Sequence, residues 1–265
     1  MPMHQGILPR EGLTADPIFS LLGRTALNPS VLLPLVLLAR YTKKGGDLAI
    51  LYPTAFARIK LLLYASLARW ANAWLSDRVL NNWTSDRYDW RREIAFLPAM
   101  VRANHGTIVT VASFAAFLAV PNMVDYGASK AAAMAFHEGL TAELTTRYKA
   151  PRVRTVLVNQ GYTKTALFTG YNQDTPFLMP ALEPETVAEA IVRQILTGRS
   201  GQVIVPGAGA SLAGLRAYPH WWQVRLRAQS EKLMSSFSGR QVVKDLDKHY
   251  DGRDKEADES TVLVK

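Results

Sequence analysis

Gly106-Thr-Ile-Val-Thr-Val-Ala-Ser113 and, a short interval later, Val124-Asp-Tyr-Gly-Ala-Ser-Lys-Ala-Ala-Ala133 decide the fold. Residues 107–112 form a β-branched apolar run, the pattern of a strand buried on both faces of a parallel sheet. Val124 to Tyr148 is alanine-rich without internal proline and predicts a long helix that tolerates Gly127 and Gly139. Val153 to Val158 repeats the buried-strand pattern. Glu185 to Leu196 spaces its apolar residues at helical period, follows Pro184 and stops at Gly198. Gln202 to Val205 is a third short strand. Upstream, Leu97 to Val101 reads as the end of a helix with Asn104-His105-Gly106 as its stop. This order of elements is the α/β signature.

Outside that block the character changes. The chain has 265 residues, of which 48% are hydrophobic and 20% charged, which excludes a disordered or polar low-complexity chain. No cysteine is present, so disulfides, thiolate zinc sites and cysteine nucleophiles are excluded. The five histidines are scattered without a ligand-like pair, and no metal site is expected. Of the formal charge of +9, +5 falls within residues 1–94. Ala26 to Ala39 is apolar but interrupted by Pro29 and Pro34, too short and too broken for a straight transmembrane helix. Lys43-Lys44-Gly45-Gly46-Asp47 reads as a polar break. After it, Leu48 to Leu75 carries Arg58, Lys60, Arg69, Trp70 and Trp74 and suits a helix lying in a membrane interface. A helix packed on a protein core is the other reading of the same pattern. Ser76 to Arg92 reads as a connector. No nucleic-acid motif accompanies the basic excess, so nucleic acid is not an expected partner. The tail after Ala208 holds a candidate interfacial or packing helix with Trp221, Trp222, Arg225 and Arg227, and Asp251 to Lys265 reads as disordered.

Chemistry concentrates on three side chains. Tyr126 and Lys130, four apart, lie one turn apart on one helix face. A phenol with an ordinary pKa of ~10 is a poor proton donor or acceptor at neutral pH, and a nearby ammonium pulls it towards the working range. Ser113 closes the preceding strand and can orient a reacting oxygen. The loop Asn159-Gln160-Gly161-Tyr162-Thr163-Lys164-Thr165 follows the next strand. Open α/β sheets bind ligands beyond these carboxyl ends.

From about Ala95 to Gly207 the sequence resembles the short-chain dehydrogenase/reductase family, in its membrane-associated retinol/hydroxysteroid dehydrogenase-like branch. The resemblance implies that Ser113 orients the substrate oxygen, Tyr126 is the acid/base, and Lys130 lowers its pKa and binds the nicotinamide ribose. Gly161, Thr163 and Thr165 would contact the nicotinamide, with Gln160 standing where the family carries proline. The implied cofactor is NAD or NADP and the implied substrate a lipophilic alcohol or carbonyl. The apolar segment Ala166 to Leu182, with Phe168, Tyr171, Phe177 and Met179, is the expected substrate segment.

The family's glycine-rich turn is missing from the first 112 residues, and so are its Asn-Asn-Ala-Gly strand and relay asparagine. Several βα units look excised near Ile94/Ala95. The expectation is an incomplete Rossmann-like three-layer parallel sheet, its C-terminal half, with a helical N-terminal extension. Its parts are a membrane-associated extension (1–94), the catalytic half (95–206) and a C-terminal helix with a charged tail (207–265). Weak dinucleotide binding is expected, with strand 107–112 left as an open edge. Endoplasmic-reticulum membrane association and a homo-oligomer through helix 124–148 are further implications. The alternatives are a non-catalytic membrane-tethered interaction protein and a truncated gene product.

Overall fold

The computed structural model describes residues 9–84, 86, 96–165, 177–235, 240–243 and 261–264. Four helices come first: α1 (Ala15–Arg24), α2 (Pro29–Tyr41), α3 (Lys43–Leu51) and α4 (Pro53–Leu80). The α/β block follows as α5 (Leu97–Ala103), β1 (Gly106–Val111), α6 (Val124–Thr146), β2 (Val153–Gln160), α7 (Pro184–Leu196) and β3 (Gly201–Val205). The chain then forms α8 (Ala210–Ala213) and α9 (His220–Gln229), and β4 (Arg240–Val243) pairs antiparallel with β5 (Thr261–Val264).

The three strands of the block are parallel in the order β1-β2-β3, with Val109 opposite Val156 and Val158 opposite Val203. Alternate side chains build two cores. On one face Met100, Leu140, Leu144 and Val153 join Ile108, closing α5 and α6 onto the sheet. On the other, Val156, Val158 and Val203 meet Ala190 and Ile191 of α7. The result is a three-layer α/β arrangement, and β2 at its centre is buried along nearly its whole length. At the end of α5, Asn104 adopts the left-handed conformation (φ 46°) that turns the chain into β1.

Among the described residues β1 is bonded to β2 alone. The Ala112 amide donates to Val158 O, so in a parallel ladder the backbone groups of Val109 and Val111 point to the free side. The expectation of a strand buried on both faces therefore holds for β2 and fails for β1, where Val111 is 42% exposed. A strand with one neighbour cannot be covered from its open side.

The N-terminal helices attach to the block at two places. Near α1, Arg10 pairs with Glu189 at 2.5 Å, Glu11 accepts the Glu183 amide at 3.0 Å, and Asp16 accepts the amides of Gly207 and Ala208 at 2.8 and 3.3 Å. Beyond α4, Asn81 accepts the Ser200 amide at 2.9 Å, and Asn82 donates to Pro151 O at 3.0 Å. There the buried Arg154 of β2 donates to Gly198 O, Thr84 and Asp86.

Three expectations about the extension and tail need correction. Lys43 to Asp47 is no break: it begins α3, where Thr42 caps the Gly45 amide at 3.0 Å. Gly45 crowds Leu38 O so closely that a Cβ has no room, which explains a glycine inside a helix here. The break falls instead at Tyr52-Pro53, so the expected Leu48–Leu75 helix is split and bent by 107°, and α4 continues through Leu80 into the supposed connector. Residues 261–264, expected to be disordered, form β5. The Ile94/Ala95 junction, Phe168 and Tyr171 lie outside the described residues. Among those described, no single helix is long and apolar enough to cross a membrane, while α1 with α2 and α3 with α4 reach that length and composition as bent pairs.

Candidate active site

Beyond the carboxyl ends of β1 and β2 lies a cavity of about 450 Å³. Ser113 follows directly from β1 and caps a short 3-10 turn, Phe114–Ala116, its Oγ accepting the Ala115 amide at 3.2 Å. The same hydroxyl donates to Gln160 O, the last residue of β2, at a long 3.4 Å. Strand pairing thus carries Ser113 to the 160–165 loop.

Tyr126 and Lys130 stand on the first turns of α6, with the ammonium 5.7 Å from the phenol ring centroid. Gly127, between them, is buried against the 3-10 turn, where a Cβ would lie in contact range of Ala115 O and Ala119. Lys130 Nζ donates to Val111 O at 3.0 Å, on the free side of β1. Burial pushes its pKa below the ordinary lysine value.

Gly161, Thr163 and Thr165 line the cavity together with Ser113, Tyr126 and Lys130, so all six sequence-predicted residues meet at one place. Thr163 bridges to Leu182, and Lys164 pairs with Glu183 at 2.6 Å, holding the loop against the start of α7. That bond raises the Lys164 pKa.

The remaining walls are mostly apolar and include Phe114, Leu118, Met123, Met179, Leu212, Leu233 and Met234. Met179 belongs to the expected substrate segment, whereas Phe177 is 45% exposed and outside the lining. Leu212, Leu233 and Met234 were not foreseen, because only the return path of the chain brings them there. Gly207 to Gly209, just after β3, has a packing role. Gly209 lies so close to the Phe114 ring that a Cβ would collide with it, while a Cβ on Gly161 would come within 3.3 Å of the same ring.

Residues 93–176 match the family model described as short chain dehydrogenase. This stretch is similar to short-chain dehydrogenases. The segment is 57% identical over 63 residues to Dehydrogenase RED2 of Cochliobolus heterostrophus, covering 24% of each chain. The Estradiol 17-beta-dehydrogenase 11 of Rattus norvegicus is 40% identical over 126 residues, 47% of this chain and 41% of that one. Epidermal retinol dehydrogenase 2 of Mus musculus is 39% identical over 102 residues, 38% of this chain and 33% of that one. The chain therefore spans between a quarter and two fifths of the length of these relatives. The matched stretch contains Ser113, Tyr126, Lys130, Gly161, Thr163 and Thr165.

Proposed function

We propose that the chain carries the proton-transfer part of an NAD(P)-dependent oxidoreductase that interconverts a lipophilic alcohol and its carbonyl. The observation behind this reading is one apolar-walled cavity into which Ser113, Tyr126, Lys130 and the 161–165 loop converge. The substrate oxygen sits between the Ser113 and Tyr126 hydroxyls. In the oxidative direction the Tyr126 oxygen takes the alcohol proton as the carbon gives up hydride; in reduction the phenol returns it. Lys130, one turn away, stabilises the phenolate form. Ser113 leaves its long bond to Gln160 O to orient the reacting oxygen. A nicotinamide cofactor, when bound, supplies or takes up the hydride.

The residues suit one end of such a cofactor and not the other. The six lining residues fit the nicotinamide and its ribose. The pyrophosphate needs a glycine turn joining a strand to a helix. Of the described glycines before β1, Gly12 lies in a turn ahead of α1, Gly23 in α1, and Gly45 and Gly46 in α3. None follows a strand. Dinucleotide affinity is accordingly low, and fluorescence titration with NADH and NADPH measures it; micromolar binding would contradict this.

The retinol and estradiol that appear in the relatives' names are the first substrates to try. With dinucleotide in excess and the substrate in micelles, slow turnover is expected, and Tyr126→Phe lowers it by at least ~100-fold. Turnover that survives Tyr126→Phe, or none in the parent chain, overturns the reading. Membrane association through the helices of 1–80, at the endoplasmic reticulum, belongs to the same proposal. It is supported by exposed Phe19, Leu61, Tyr64 and Trp70. A second copy would pair through α6, whose Val124 and Phe136 are 67% and 65% exposed.

A further inference from the structure

The segment from α8 through Met234 has two sides. Its inner side closes the cavity with Leu212, Leu233 and Met234, and Asn122 Nδ2 donates to Met234 O at 3.3 Å. Its outer side is aromatic. The Tyr218 and Trp222 rings are 4.5 Å apart and those of Trp221 and Trp222 6.5 Å, and Trp221 is 70% exposed. Val224 extends the apolar patch at 51% exposure. Exposed rings clustered in this way mark a docking face.

Charge decides what docks. Residues 190–230 contain no Asp or Glu but five arginines, and Arg216 and Arg225 are exposed beside the aromatic cluster. Amphipathic aromatic rings flanked by guanidinium groups, with cations outnumbering the one carboxylate of the segment, Glu231, match an anionic headgroup layer. A second apolar surface adjoins the first. Asp16 of α1 accepts the Gly207 and Ala208 amides, which places the exposed Phe19 and Leu21 of α1 next to the root of this segment.

We propose that the face built around Tyr218, Trp221, Trp222 and Val224 seats on an anionic lipid bilayer. The cavity behind it then receives its lipophilic substrate from the membrane rather than from water. This rests on the lipophilic-alcohol reading, but docking is measured without turnover.

The chain has no cysteine, so single engineered thiols report cleanly. Val224→Cys and, on α4, Leu61→Cys are each labelled with a polarity-sensitive fluorophore. Each is mixed with vesicles of phosphatidylcholine alone or with about a third phosphatidylserine. The expected result is a blue shift at position 224 with the anionic vesicles that weakens in high salt. Replacing Arg216→Gln and Arg225→Gln together lowers vesicle partitioning measured at that label about tenfold or more. A silent label at 224 beside a responding one at 61 overturns this inference and leaves the N-terminal membrane association standing. Silence at both overturns the membrane reading altogether, while the Tyr126→Phe comparison still judges the chemistry. A shift at 224 that rises with protein concentration without vesicles assigns the face to a second copy, and overturns the inference too.

Discussion

His137 lies on α6, 6% exposed, with Nδ1 2.9 Å from Thr110 Oγ1 of β1. Burial lowers its pKa below the ordinary histidine value of 6.5. The unfolded chain therefore binds a proton that the folded chain refuses. Stability from this group is complete above pH 6.5 and is lost as pH falls from there to the lowered folded value. His137→Gln removes that dependence, so urea midpoints compared across this interval lose their slope in the variant. An unchanged slope would place the acid sensitivity elsewhere. Lys130 follows the same sign at the other end of the scale. Its folded pKa is depressed from 10.5, and stability rises as pH climbs from the folded value towards 10.5. Both residues sit under or beside the site, where burial serves geometry more than stability.

Among the elements, the chain after α4 meets β2 of the block through a charge. Arg154 is 3% exposed on β2 and Asp86, just after α4, reaches it at 2.8 Å. Asp86→Asn leaves the guanidinium buried with only Gly198 O and Thr84 as firm partners. The cost expected is about 2–3 kcal/mol, the lower side for breaking a buried pair because Asp86 keeps some water. Urea unfolding checks it, and a loss below ~0.5 kcal/mol would mean that the contact contributes little. The α/β elements were legible from local pattern. β-Branched runs, the Pro184 start and the Asn104 stop each have a local cause, and the loop residues 161–165 follow from strand order. The features that local pattern does not carry depend on distant partners. A glycine pair reads as a break unless Leu38 O is known to crowd it. Leu233 and Met234 look like any apolar pair until the chain folds back over Ser113. The openness of β1 could be deduced from a missing strand, but not the use Lys130 makes of it.

At the scale of the whole molecule, length is allocated unevenly. Four helices and a three-stranded sheet share a chain in which residues 93–176 match the short chain dehydrogenase family model. Both apolar surfaces, on the N-terminal helices and on the α8–α9 segment, lie outside the two cores. Solubility therefore rests on what covers them. The free side of β1 adds a different hazard, since an open strand is a template for further strands. The ammonium of Lys130, parked on the Val111 carbonyl, is the kind of charge that discourages such templating. One side chain thus serves the proposed proton relay and also sets a charge on the open edge of β1. A preparation of Lys130→Met that loses activity has two distinct causes open to it, and light scattering run beside the assay tells the aggregate from the intact but inactive protein.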